Sequence, residues 1–234
     1  MLFAITLSSS ASAAEFSISP ISLQLPPEVR AGVVGINNKD KRPIRFQLAL
    51  VEWTQNAKGE DVYVPSDDLI YFPRQITVQP GERGIARIGS KAPSKKTEKS
   101  YRLRVEELPE PLEDASTSAL NLTITFAVPI FVGPSETTPK AVIAPMQLEH
   151  GKLTATIQNN GNAHYRIDSL ELTGTDGYTE KQEGWYLLPQ AQRDYVFAIP
   201  PEVCKSQKSV QLHVKVGDQL FNSALDVDPS LCGL

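Results

Sequence analysis

The sequence predicts an all-β protein made of two β-sandwich domains in tandem. Short runs that alternate apolar and polar residues recur along the chain, for example Ile44–Leu50, Tyr101–Val105 and Val210–Val216. Such a period of two is typical of strands with one buried face. Turn-forming residues such as Pro80-Gly81 and Asn159–Asn162 separate the runs. No long stretch has the spacing and caps of an amphipathic helix, so the pattern favours sandwiches of short strands.

A weak internal repeat supports two similar domains. Ile36–Asn38 and a polar turn resemble Gln158–Asn160 and the polar turn that follows it. Later in each copy, Pro80–Arg83 and Pro189–Arg193 lead into a pair of apolar residues in the same way. Because both motifs occur in the same order, the repeat indicates two sandwiches of one kind, the second smaller. Chance similarity of turn chemistry is the alternative.

The boundary between the domains is predicted in the segment Val132–Pro139. Glycine and proline cluster there, and the alternation of apolar and polar residues stops. We therefore assign residues 15–134 to the first domain and residues 140–234 to the second.

The first 14 residues are predicted to be a secretory signal. Met1–Leu7 is a short apolar run, and the small residues Ser8–Ala14 follow it with an A-x-A pattern at Ala11–Ala13. This order is typical of the back half of a signal peptide that is cleaved after Ala13 or Ala14. The usual basic segment is missing, so we expect a truncated start. No later stretch has the about 20 apolar residues that span a bilayer, so we expect no membrane insertion.

The two cysteines, Cys204 and Cys232, are expected to form a disulfide in an oxidising compartment. Two buried free thiols are the alternative. Neither cysteine lies in a C-x-x-C pair, which argues against redox catalysis and zinc binding. The net charge of -4 gives no basic excess, so nucleic acid is not an expected partner.

No pattern in the sequence indicates an enzyme. His150, His164 and His213 are scattered, without a carboxylate or cysteine at metal-ligand spacing. No nucleophile elbow, phosphate-binding loop or zinc-protease motif occurs. We therefore expect no catalytic residues, no bound metal and no cofactor.

The segment before residue 132 contains an unusually regular strand. Five apolar residues recur there at period two and would share one face of an extended chain: Leu120, Leu122, Ile124, Phe126 and Val128. The opposite face carries Asn121, Thr123 and Thr125 and is polar. One interpretation is an ordinary core strand. The other is an edge strand that lends its side chains to another protein.

Several segments together resemble the PapD-like periplasmic chaperones of pilus assembly, and most closely the archaic branch that serves Csu-like, spore-coat-U-like fibres. The resemblance covers nearly all of the first domain, in family order. The segments are Ser19–Leu23, Asn37–Gln47, Glu52–Gln55, Asp67–Leu69, Tyr71–Arg74, Val78–Gly81, Tyr101–Pro109 and Pro129–Val132.

The resemblance implies two immunoglobulin-like domains and a chaperone of pilus or fimbrial subunits in the periplasm. Such a chaperone caps a subunit by donor-strand complementation, laying its own strand into the open groove, and delivers it to an outer-membrane usher. Leu120 to Val128 would be the donor strand here. A secreted two-domain adhesin or a fibre subunit is the alternative function. The sequence leaves open which subunits are bound and whether the free protein caps itself as an oligomer.

The resemblance also implies basic side chains that hold the subunit's C-terminal carboxylate. Ser22 and Pro129 occupy the positions of the basic pair of the better-known branch, and neither can pair with a carboxylate. The archaic branch places an arginine on the preceding strand, where this sequence has Arg102. Arg104 is the second candidate because period two puts both on one face. Pairing of these arginines with Glu106 on a solvated face is the alternative.

Two acidic residues, Glu98 and Asp218, match positions that help to fix the angle between the domains in the family. The arginine that partners them in the family is replaced by Gly133. We therefore expect an altered or missing interdomain network, or two exposed carboxylates.

Overall fold

The computed structural model describes residues 15–92, 94, 96–109, 122–138 and 140–233. The predicted signal sequence and Leu120 of the predicted donor strand lie outside these residues. Strands make up almost all of the regular secondary structure of the described chain, which confirms the predicted fold class.

The first half of the chain forms a sandwich of two sheets. One sheet has the strand order β1-β3-β8-β6, and the other has the order β2-β10-β9-β4-β5, with β7 also paired to β4. The strands are β1 (Phe16–Ser19), β2 (Leu23–Leu25), β3 (Ala31–Asn38), β4 (Ile44–Gln55), β5 (Asp61–Pro65), β6 (Leu69–Phe72), β7 (Gln75–Val78), β8 (Arg83–Ser90), β9 (Lys99–Glu107) and β10 (Thr125–Val132).

The described second half forms three sheets, two of four strands and one of two, with the orders β11-β13-β12 plus β18 on β13, β14-β17, and β16-β15-β19-β20. Its elements are β11 (Ala141–Ile143), β12 (Gln147–Glu149), β13 (Lys152–Asn159), β14 (Tyr165–Arg166), β15 (Ser169–Gly174), β16 (Thr179–Glu183), β17 (Tyr186–Leu187), β18 (Gln192–Ala198), helix α1 (Pro201–Ser206), β19 (Ser209–Val216), β20 (Gln219–Asp226) and a 3-10 turn at Pro229–Leu231. No helix in the described part of the chain is long and apolar enough to cross a membrane.

The alternation of the sequence explains the first core. Phe46 and Leu48 on β4 and Leu103 on β9 point inward from one sheet and are fully buried. Ile36 on β3 and Ile88 on β8 meet them from the facing sheet. Apolar side chains at every second position therefore fill the space between the two sheets, as in other sandwiches. The second domain has its own core of the same kind.

A buried asparagine ties the end of β3 to the neighbouring turns in the first domain. The side-chain amide of Asn38 donates to the carbonyl of Arg42 at 2.8 Å and to that of Val78 at 2.9 Å. Its side-chain oxygen accepts a hydrogen bond from the backbone N–H of Asp40. Asn38 thus satisfies backbone groups that the bend would otherwise leave unpaired.

Asn159 makes the corresponding hydrogen bonds in the second domain. Its amide donates to the carbonyl of Ala163 at 2.9 Å and to that of Leu187 at 3.0 Å, and its oxygen accepts from the N–H of Gly161. In both domains the first carbonyl lies four residues after the asparagine, and the second lies two residues before the proline of the later motif. The repeat seen in the sequence is therefore a repeat of the structure.

The disulfide forms as expected. Cys204 on α1 and Cys232 after the 3-10 turn are bonded, with their Cα atoms 5.6 Å apart and a separation of 28 positions in sequence. Both cysteines are fully buried and belong to the core of the second domain. The bond ties the last residues of the described chain to that core.

Candidate functional site

One edge of β10 is open over most of the strand. β9 pairs antiparallel with β10 along its whole length, from Thr125 to Val132. On the other side, β2 pairs with β10 in parallel, but only over Ile130–Val132. Within the residues that the structure describes, no strand covers that side between Thr125 and Pro129. Its backbone groups are therefore available to a strand from another chain.

The described side chains of the predicted donor strand differ in exposure, from a buried residue at one end to an exposed residue at the other. Val128 is buried in the first-domain core, whereas Phe126 is 43% exposed and Leu122 is 55% exposed. Phe126 lies edge-on against Phe16 of β1, with the ring centroids 5.4 Å apart. Ile124 is half-buried, and its carbonyl accepts a hydrogen bond from the N–H of Glu107 at the end of β9. The apolar face of β10 thus continues past the end of its own core.

The two candidate arginines lie on the same face of β9, but their surroundings differ. Arg102 lies opposite Pro129 of β10, and Arg104 lies opposite Ala127. The side chain of Arg104 is half exposed, and it approaches Glu106 at 3.9 Å. Arg102 is only 6% exposed. The two positions differ because the second domain packs over Arg102.

Aromatic rings from both domains surround the guanidinium of Arg102. It lies over the ring of Trp53, 3.8 Å from the ring centroid, while Tyr186 and Trp185 of the second domain are 5.4 and 6.0 Å away. One of its terminal nitrogens donates to the carbonyl of Ala127 at 3.1 Å. Cation–π contacts of this kind stabilise a desolvated cation.

Arg102 forms no ion pair with a carboxylate in the described part of the chain. Its Nε is buried there without a hydrogen-bond partner, and burial lowers the pKa of the guanidinium. Tyr63 and Asp61 both act on it electrostatically. Because buried charges in proteins are normally paired, a cation held in this way is suited to receive an anion from outside.

The second domain is held against the first by a small apolar cluster and several hydrogen bonds. Trp53, Phe131 and Leu188 are buried together between the domains. The side-chain amide of Gln55 donates to the carbonyl of Tyr186 at 2.9 Å, and its oxygen accepts from the N–H of Leu188 at 3.0 Å. These contacts bring the aromatic rings of the second domain over the arginine.

The two predicted interdomain carboxylates lie in different surroundings. Glu98 is buried and accepts hydrogen bonds from the backbone N–H and the ring Nδ1 of His164, at 3.1 and 2.7 Å. The ring of His164 stacks on Phe131 with the centroids 3.4 Å apart. Gly133 lies beside Glu98, where an added Cβ would be 3.5 Å from the Glu98 Cγ. Asp218 is exposed, in the turn between β19 and β20.

The structure brings residues to the site that sequence reasoning did not single out as functional. Besides Trp53, they are Asp61 and Tyr63 of β5 and Trp185 and Tyr186 of the second domain. The chain has two tryptophans, and both lie beside Arg102. That rarity is the one signal in the sequence that could have drawn attention to them. No group of three or more histidine, cysteine, aspartate or glutamate residues in the described regions is placed to hold a metal ion.

Comparisons with known proteins agree with this fold. Residues 15–138 match the family model described as the pili and flagellar-assembly chaperone, PapD N-terminal domain. The probable fimbrial chaperone EcpE of Escherichia coli K12 is 25% identical over 180 residues, which are 74% of this chain and 72% of that protein.

Two solved structures illustrate the likeness of the whole chain. A chain of the CsuC–CsuE chaperone–tip adhesion subunit pre-assembly complex of Acinetobacter baumannii superimposes with a TM-score of 0.65 at 19% identity, covering 90% of this chain and 98% of that one. A chain of the Salmonella enterica SafA pilin–SafB chaperone complex gives 0.59 at 14% identity, covering 94% and 100%. At these identities the likeness establishes the fold, two β-sandwich domains in tandem.

Proposed function

Because the chain belongs to the PapD family of pili and flagellar-assembly chaperones, we propose that it caps pilus or fimbrial subunits in the periplasm and delivers them to an outer-membrane usher. Residues 15–134 and 140–234 are its two domains, and residues 1–14 direct its export. It acts by binding and catalyses no reaction. Within the family it belongs to the archaic, Csu-like branch.

The open edge of β10 is the observation that carries this proposal. Among the described residues no strand pairs with this edge from Thr125 to Pro129, and the apolar side chains of Leu122 and Phe126 are exposed beside it. A subunit whose own sheet lacks a strand can pair its backbone with this edge. The side chains at alternate positions then fill its groove, each contributing about 1.5–3 kcal/mol when fully buried.

Arg102 lies where a strand added to this edge would have to end. It is opposite Pro129, the last residue of β10 before β2 occupies the same edge from Ile130 onward. A subunit strand along Thr125–Pro129 therefore meets the end of β2 beside a buried cation. The C-terminal carboxylate of the subunit would neutralise that cation, and a guanidinium can hold it by two hydrogen bonds.

Leu122→Glu tests whether this face is used by a partner. Since Leu122 is more than half exposed, we expect the free protein to melt within a few degrees of wild type. In a complex the new carboxylate would be buried, at a cost of about 2–7 kcal/mol even when it is protonated. We therefore expect the variant to lose a co-expressed subunit on affinity purification from the periplasm.

The neighbouring substitution Thr123→Glu is the matched control. It adds the same charge at the next residue, which is also exposed and which the period of two assigns to the opposite face. We expect this variant to retain the subunit. Retention of the subunit by Leu122→Glu, or unfolding of that variant on its own, would contradict the proposed use of this face.

A further inference from the structure

Tyr63 lies beside Asp61, the acidic residue whose charge acts on the buried Arg102. It lies on β5 opposite Trp53, on the edge of the sheet, and is 48% exposed. Its hydroxyl donates to Oδ2 of Asp61 at 3.3 Å, and the same oxygen accepts from Trp185, whose ring centroid is 6.0 Å from the guanidinium of Arg102. The charge of Arg102 acts on this hydroxyl electrostatically, so the phenol lies close to the buried cation.

Asp61 does not depend on this bond from Tyr63. The ring N–H of Trp185 donates to its Oδ2 at 2.9 Å, and the side-chain amide of Gln55 donates to its Oδ1 at 3.0 Å. The bond from Tyr63 is the longest of the three. The hydroxyl can therefore turn to another acceptor while both oxygens of Asp61 keep a donor.

The phenol also keeps its proton. Burial and then the negative charge of Asp61 raise the pKa of Tyr63 above its ordinary value. The hydroxyl is thus a donor at any physiological pH, and it lies next to a cation that lacks a carboxylate partner in the described part of the chain. Tyr63 lies directly opposite Trp53 in the sheet, and Arg102 lies over the ring of Trp53. Both groups are therefore on the face toward Tyr186 of the second domain.

We propose that Tyr63 is a second hydrogen-bond donor to the subunit's C-terminal carboxylate, beside Arg102. In the free protein its hydroxyl donates to Asp61, and in the complex it donates to the incoming carboxylate instead. Tyr63 therefore helps the site to distinguish a chain terminus from an internal carbonyl. This inference rests on the proposed function.

The two tryptophans allow the site to be tested without a subunit or a label. Trp53 and Trp185 flank Arg102, so their fluorescence reports on its surroundings. We suggest titrating the mature full chain with N-acetyl-L-leucine, which has a free carboxylate, and with N-acetyl-L-leucinamide, which does not. We expect the acid to bind more tightly than the amide. Equal responses to the two probes in the wild-type protein would overturn the proposal.

Tyr63→Phe then isolates the hydroxyl. Losing one hydrogen bond to a charged group should weaken binding of the acid about tenfold and leave binding of the amide unchanged. Tyr178→Phe is the matched control, since it removes a hydroxyl that donates to Glu180 within the second domain. We expect it to bind both probes as the wild type does. Melting curves check that both variants are folded.

The outcomes separate this inference from the proposed function. If Arg102→Ala abolishes the preference for the acid while Tyr63→Phe retains it, the carboxylate site stands and the role of Tyr63 is refuted. If Arg102→Ala also retains the preference, the carboxylate does not bind at Arg102.

Asp61→Asn is a second variant, to be used if Tyr63→Phe is less stable than the wild type. It removes the carboxylate charge that competes with the acid for the Tyr63 hydroxyl, so the acid should bind more tightly. An unchanged affinity for the acid would count against the proposal.

Discussion

Arg102 and Arg104 show how much the surroundings of a residue decide its role. They are the same residue type on one face of one strand, two positions apart. Arg104 is half exposed beside Glu106, and exposed pairs of this kind contribute little to stability. Arg102 is buried under Trp53 without a carboxylate partner in the described part of the chain. This difference is why Arg102, and not Arg104, is the proposed anchor of the subunit's carboxylate.

Arg102→Ala is therefore expected to separate binding from folding. Truncating one member of a desolvated charge pair typically costs about 2–5 kcal/mol, so subunit complexes should be lost. The free protein should stay folded, because the substitution removes an unpaired buried charge along with the packing on Trp53. Co-purification of a subunit and thermal melting measure the two effects. Arg104→Ala is the control and should behave as wild type, whereas loss of the subunit only in Arg104→Ala would move the anchor there.

The sequence could predict the shared face of these arginines but not their burial. Alternation along Tyr101–Val105 places Arg102 and Arg104 together, whatever the rest of the chain does. What separates them is the position of Tyr186, which is more than 80 residues away in sequence and lies in the other domain. A contact of that kind depends on how two domains pack, and no local pattern encodes it.

At the scale of the strand, β10 also has a property that the local sequence pattern cannot predict. The period of two from Leu122 to Val128 was visible in the sequence, and so was the alternative of an ordinary core strand. The deciding feature is that β2 covers only Ile130–Val132 of the outer edge. Pairing between strands about 100 residues apart determines which edge stays open. The sequence therefore predicted a strand here, which in the structure begins only at Thr125, after Leu122 and Ile124, and the structure was needed to find its open edge.

The repeated asparagine motif was predicted from the sequence and has a measurable consequence. Asn159→Ala would leave the carbonyls of Ala163 and Leu187 and the N–H of Gly161 without their side-chain partner in a buried turn. Each buried polar group left unsatisfied costs about 1–3 kcal/mol. We expect a loss of roughly 3 kcal/mol or more in the free energy of unfolding of the second domain, measured by denaturant titration.

Asn160→Ala is the matched control for that experiment. Asn160 is the next residue and is exposed, so its truncation should change stability by less than about 0.5 kcal/mol. Asn38→Ala should reproduce the effect of Asn159→Ala in the first domain, because Asn38 makes the corresponding bonds. If Asn38→Ala and Asn159→Ala both match Asn160→Ala in stability, the motif does not stabilise the turns.

At the scale of the whole molecule, the site depends on the way the two domains meet. Trp53 and Arg102 come from the first domain, and Trp185 and Tyr186 come from the second. Glu98 holds His164 across the same interface, although the family's arginine is replaced by Gly133. Glu98 therefore does make a contact between the domains, and its partner is His164. The packing that positions the domains also encloses the proposed carboxylate site.

Phe131→Ala tests this dependence. Phe131 is fully buried between Trp53, Leu188 and the stacked ring of His164, and it belongs to the interface cluster and not to either domain core. Truncating a buried phenylalanine costs about 3–5 kcal/mol, and here that loss falls on the contact between the domains. We expect calorimetry to resolve two unfolding transitions in the variant, and we expect the preference for N-acetyl-L-leucine over its amide to weaken. Phe72→Ala, at a position that is 70% exposed on the outer sheet, is the control and should change neither measurement. A single transition at the wild-type temperature in Phe131→Ala, with the preference intact, would mean that the carboxylate site is complete without the second domain.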